Sequence, residues 1–123
     1  MKKIRIIYLI VALACFNSCD KTNYAELHDE YIGTWQGFAF WGNAWGYKLT
    51  LEISEEGDAV WTQEDLETGK TKKKNSGKFK IQNGDELRVG MKKFIITKDP
   101  KENDNGWWHV DLDSITYERE PRI

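Results

Sequence analysis

The chain predicts an all-β domain: about eight short strands in an antiparallel up-and-down meander, closing into a small barrel after a short helical turn. Three observations carry this expectation. Apolar and polar residues alternate with a period of two through most of the sequence beyond Gly33. Turn-forming clusters interrupt that alternation at hairpin spacing, and no segment after Gly33 has a convincing helical period. Consecutive hairpins favour a meander, because a Greek key needs a long return connection. Eight strands is also the number at which closure leaves an interior just fillable by side chains or by one small ligand.

The elements follow in order. Residues 1–18 read as a lipoprotein signal peptide. Met1-Lys2-Lys3 and Arg5 are cationic, residues 6–14 are apolar, and Phe16-Asn17-Ser18-Cys19 precedes a chain that stays polar. The apolar stretch falls well short of the roughly 20 residues that span a bilayer. Cleavage before Cys19 would leave that cysteine acylated as the first mature residue. Cys15, after Ala12-Leu13-Ala14, competes with a better small residue before it, but it would shorten the apolar stretch and leave Cys19 as an unpaired thiol. An ordinary secretory signal with two incidental cysteines is the blander reading.

Residues 19–23 form a lipidated tether, and residues 24–123 form the domain. Tyr24, Leu27 and Tyr31 fall at i, i+3 and i+7 with Glu26, Asp29 and Glu30 between them, which makes one apolar stripe on a helical turn. The first strand covers residues 33–41. Tyr47, Leu49, Leu51 and Ile53 alternate with Lys48, Thr50, Glu52 and Ser54 to make the second. Glu55-Glu56-Gly57-Asp58 turns, and residues 59–64 run as a strand around Val60 and Trp61. Thr68-Gly69-Lys70 turns again, and Phe79 and Ile81 alternate with Lys78, Lys80 and Gln82. Asn83-Gly84 is a strong hairpin signal. Leu87 and Val89 follow, then a turn at Gly90-Met91 and a strand at residues 94–97. Residues 99–106 read as the longest loop, and residues 107–112 and 114–119 complete the set around Asp113. One phase of this alternation forms the expected core: Leu49, Leu51, Ile53, Phe79, Ile81, Leu87, Val89, Trp108, Val110, Ile115 and Tyr117.

Composition narrows the function. Removing 18 of the 123 residues leaves 105, enough for one domain with its own core. No cysteine other than Cys19 remains, so the mature domain holds no disulfide and no thiolate metal ligand. Three of the 18 Lys+Arg leave with the signal. Fifteen then face 20 Asp+Glu, a net charge of about −5 that argues against nucleic acid as a partner.

Gly33-Thr34-Trp35 resembles the opening of the first strand in lipocalin-like lipoproteins of the calycin group. In that family a Gly-x-Trp follows a short helical turn, and a basic residue near the end of the last strand covers the Trp. Arg119, in Ser114-Ile115-Thr116-Tyr117-Glu118-Arg119, stands where that residue would be. Geometry supports the pairing independently: the last strand of a closed eight-strand meander runs antiparallel to the first, so Arg119 arrives where Trp35 begins. Trp35 and Arg119 are therefore the expected structural closure of one barrel end. The chain is shorter than typical lipocalins and lacks their Thr-Asp-Tyr loop motif and trailing helix, so the family's large pocket does not carry over. Ser18-Cys19-Asp20 also resembles the relaxed lipobox of Gram-negative bacteria rich in surface lipoproteins. That resemblance implies a lipid-anchored protein of the outer membrane, on its periplasmic or surface face.

No catalytic set stands out, and no cofactor or metal is expected. His28-Asp29-Glu30 are neighbours on a turn whose side chains point apart. His109 and Asp111 share a strand face and read as a surface pair, since neither a nucleophile nor a third ligand accompanies them. Lys70-Thr71-Lys72-Lys73-Lys74 reads as a solvated hairpin, with contact to anionic glycan or lipid headgroups as the alternative. The suggestive stretch is Phe38-Ala39-Phe40-Trp41-Gly42-Asn43-Ala44-Trp45-Gly46-Tyr47, where Phe40, Trp41, Trp45 and Tyr47 are candidate ligand-binding residues at the end opposite Trp35. The expected function is non-enzymatic: an envelope binding module for a small apolar or glycan ligand, or for a protein partner. The alternatives are an inhibitor of an envelope or secreted hydrolase, or a structural subunit of an envelope assembly. Ligand identity and oligomeric state are not legible.

Overall fold

A computed structural model describes residues 22–40 and 46–121. Eight antiparallel strands form a closed meander barrel in sequence order, each bonded to the next and the last to the first. They are β1 (Gly33–Ala39), β2 (Tyr47–Ile53), β3 (Asp58–Asp65), β4 (Thr71–Gln82), β5 (Glu86–Val89), β6 (Lys92–Glu102), β7 (Trp108–Leu112) and β8 (Ile115–Arg119). A four-residue helix, α1 (Tyr24–Leu27), and a 3-10 turn (Asp29–Tyr31) precede them.

The Asn23 side chain caps α1, accepting the Ala25 and Glu26 N–H groups at 3.0 and 3.3 Å, and its own amide donates to the Glu55 carbonyl at 2.9 Å. Asn23 thus clips the helix to the β2–β3 turn. The expected stripe of Tyr24, Leu27 and Tyr31 is only partly realised. Tyr31 is buried and Tyr24 packs against the core, but Leu27 is 67% exposed and Ala25 takes the buried place. The helix ends at His28, so its period is not carried through to Tyr31.

The chosen phase of alternation is the buried one. Leu49, Leu51, Ile53, Phe79, Leu87, Val89, Val110 and Tyr117 are buried, and Ile81, Trp108 and Ile115 pack against them. Trp61, Phe94, Ile96 and Leu112 join the same interior. Two inner side chains meet in the core: the Trp61 indole N–H donates to the Tyr117 hydroxyl at 3.1 Å.

Two strands run further than the sequence suggests. The basic stretch after Lys70 is strand rather than hairpin, because β4 begins at Thr71. It pairs β3 over residues 71–78 but β5 only from Phe79, so residues 71–75 present a bare sheet edge among the described residues. Lysines on that edge, and the register shift opposite Gln63/Glu64, are devices that discourage edge-to-edge association. Strand β6 likewise passes through Asp99 and Pro100, the expected start of the long loop. Pro100 lies inside a register shift between Lys98 and Lys101, where its missing N–H breaks no ladder bond.

The β7–β8 hairpin, like β5–β6, turns in two residues. Leu112 pairs Ile115, and Asp113 and Ser114 both take positive φ (53° and 66°), the geometry of a two-residue hairpin that follows strand twist.

Candidate functional site

The two ends of the barrel are distinct. Strand β1 starts at one end with Gly33 and reaches the other at Ala39, so turns after odd-numbered strands lie at the far end. At the near end the Arg119 guanidinium sits 5.1 Å from the Trp35 ring centroid and 5.4 Å from that of Trp108. Its Nη2 donates to the Glu30 carbonyl at 3.1 Å, and Nη1 donates to the Glu120 carbonyl at 3.2 Å. The Trp35 indole N–H donates to the Tyr31 carbonyl at 2.8 Å, which fastens the helical turn over this end. Gly33 is required here. Its φ is 130°, and a Cβ would lie 2.6 Å from Arg119 Cδ. The Gly-x-Trp and the terminal arginine are therefore one device.

The far end carries a second plug that the sequence reading missed. Lys92, just after the β5–β6 turn, places Nζ 4.3 Å from the Trp61 ring centroid and 4.9 Å from that of Phe94. The only available signal was parity: Lys92 shares the inward phase of Phe94 and Ile96. Both described barrel ends thus place a cation over buried indole, and the space between holds Trp35, Trp61, Phe79, Phe94 and Tyr117, all at most 4% exposed.

The candidate ligand residues separate by face. Phe40 is 70% exposed, on the outer phase with Phe38 at 53%, and its ring lies against Gly46. Tyr47 has the inner phase, pairs Ala39, and packs against the core. Trp41 and Trp45 fall outside the described residues, as does Cys19. Among the four, then, the structure does not bring Phe40 and Tyr47 to one surface. His109 and Asp111 share the outer phase of β7, with Asp111 accepting the Thr116 hydroxyl at 2.8 Å and His109 opposite Glu118. Among the described residues no group of His, Cys, Asp and Glu is arranged to hold a metal ion.

The notable outer surface follows the seam between the first and last strands. Strands β1 and β8 pair only at Gln36–Glu118 and Gly37–Tyr117. Gly37 permits this approach, since a Cβ would come 2.7 Å from the Thr116 carbonyl oxygen. Two grooves flank the contact. One, of about 350 Å³, lies at the near end beside Trp107, Thr34 and Glu120; the other, of about 490 Å³, lies at the far end beside Phe38, Phe40 and Thr116. Gln36 and Glu118 line both, so the grooves meet as one trough along the barrel exterior. Outward side chains carry no alternation signal of their own, and the seam exists only after closure, which is why this site was not legible.

Burial raises the Tyr117 hydroxyl to about 12, helped by the Asp113 charge and opposed by the bond from Trp61. Burial, with Asp99 and Glu30 nearby, also pushes Tyr31 well above its ordinary value. Both are neutral core hydroxyls, not acids or bases poised for chemistry. Comparison with known protein families, curated proteins and solved structures finds no match.

Proposed function

We propose that this chain is a lipocalin-like, lipid-anchored envelope module that binds a protein partner on the outside of its barrel. The observation that carries this reading is the contrast between interior and exterior. The inner space is filled by large side chains with a cation over the aromatics at each end, whereas Phe38 and Phe40 stay exposed beside the seam groove. Exposed aromatics beside a groove are the usual anchors of protein interfaces. A small apolar ligand would have to displace the core. Anchoring through Cys19 rests on the basic, apolar, Ser18-Cys19 order, and the calycin kinship on Gly33, Trp35 and Arg119 at the barrel's closure. Inhibition of an envelope hydrolase is the form this takes if the partner is an enzyme.

The test replaces Phe38 with a photo-crosslinking phenylalanine analogue in intact cells. The expected result is a discrete protein adduct that Phe40→Ser abolishes without lowering the melting temperature. Saturable binding of the apolar dye N-phenylnaphthylamine, accompanied by quenching of Trp61, would instead show an interior ligand site and defeat the proposal.

A further inference from the structure

The near half of the seam trough has chemistry of its own. Trp107 opens β7's approach on the outward phase and is 37% exposed. Its loop is held in place: Asn103 N–H donates to the Trp107 carbonyl at 2.7 Å, Gly106 N–H to the Asn103 carbonyl at 3.0 Å, and Trp107 N–H to the Asn105 side chain at 3.1 Å. The ring therefore stands preformed at the groove it lines with Thr34, Gln36, Glu118 and Glu120.

The charges are arranged asymmetrically. Arg119 lines the same groove, but its guanidinium faces Trp35 and Trp108 and donates to two carbonyls. Glu118 and Glu120, exposed on either side of it in sequence, face outward. Among the described residues neither carboxylate has a cation within ion-pair distance. An accessible indole flanked by two carboxylates that have no counter-ion among the described residues is the environment that recognises an organic cation. The ring's negative face attracts the charge, and the carboxylates accept its N–H bonds. The same pair repels anionic ligands such as acidic glycans.

We infer that the Trp107–Glu118–Glu120 groove is a binding site for an alkylammonium or guanidinium group, supplied by a lysine or arginine side chain of the protein partner. The assignment of the cation to a partner rests on the outer-surface reading above; the cation site itself does not. The far half of the trough, beside Phe38 and Phe40, would then take an apolar residue of the same segment. From Thr34 to Phe40 is six residues of strand, roughly 20 Å, the length of about six extended residues.

The experiment follows the indole N–H resonance of Trp107, assigned with Trp107→Phe, while N-acetylarginine amide is added to the whole protein. Its neutral isostere N-acetylcitrulline amide and the sugar N-acetylglucosamine are titrated in parallel. A single contact of this kind binds in the millimolar range. The expected result is a saturable shift with the arginine amide, none with the other two, and weaker affinity on raising salt. Glu118→Gln with Glu120→Gln should weaken binding about tenfold, as loss of close opposite charges predicts, with the melting temperature unchanged. Equal response to citrulline, or a response to the sugar alone, overturns the cation site. A photo-crosslinker at position 107 should then capture the same protein as one at position 38. Arginine binding without that adduct would overturn the partner assignment and leave a site for a free amine. Absence of any adduct from position 38 would count against the outer-surface reading alone.

Discussion

Replacing Arg119 with Met tests whether the near-end closure is electrostatic or merely steric. Methionine keeps an unbranched stem of similar reach against Gly33 and removes the charge. Three things are lost: the contact with the Trp35 and Trp108 rings and the bonds to the Glu30 and Glu120 carbonyls. A desolvated cation–ring contact is worth about 2 kcal/mol, and a bond from a charged donor about 1.5 kcal/mol at the lower end. The two carbonyls can turn to water, so the net cost is taken as about 3 kcal/mol rather than the full sum. For a domain of about 100 residues, 3 kcal/mol lowers the melting temperature by roughly 12–15 °C. Thermal melts followed by near-ultraviolet dichroism, where Trp35 reports directly, measure this. Arg119→Lys should fall between the two, because it keeps the charge but lacks the planar fork that reaches both carbonyls. A methionine variant melting within about 2 °C of the parent would refute the reasoning and reduce Arg119 to a space-filler.

Two further outcomes follow from the same geometry. Lys92→Ala should cost about 1 kcal/mol, the value of a partly exposed cation over Trp61; an unchanged denaturant midpoint would show that the far end needs no plug. Stability should also fall in alkali. Tyr117 titrates near 12 when folded and near 10 when unfolded, so only the unfolded chain loses this proton between those values. Its contribution is intact below pH 10 and disappears as pH rises through 12, with Tyr31 acting in the same direction. Denaturant midpoints across pH 9–12 measure the slope, and Tyr117→Phe should flatten it; a profile unchanged by that substitution would mean the hydroxyl is not protected.

What the sequence disclosed was decided by burial. Leu49, Leu51 and Ile53 had to share a face because a one-residue slip would expose all three, so period and phase were both readable. The Trp35–Arg119 contact was readable for a topological reason, since a closed meander must bring its last strand beside its first. Lys92 was not, because a lysine over indole and a lysine in water look alike along the chain. Pro100 and the lysines after Lys70 misled in the same way: both are disfavoured in central strands, and both occur here where one edge or a register shift relieves the ladder. The seam trough depended on closure itself. Its lining comes from β1, β8 and the turn before β7, residues far apart in sequence and free to vary in polarity.

The pairing of the first strand with the last sets an order of events during synthesis. Arg119 and Glu30, bonded in the finished barrel, are 89 positions apart. Until the final strand emerges, β1 has a bare edge, the Trp35 ring has no cation above it, and the helical turn lacks its bond from Arg119. Contacts of such long range form slowly, because loop closure must be accomplished before they repay it. A nascent chain of this kind stays open while any part of β8 is still being made. It remains threadable until Arg119 is in place and the barrel can close.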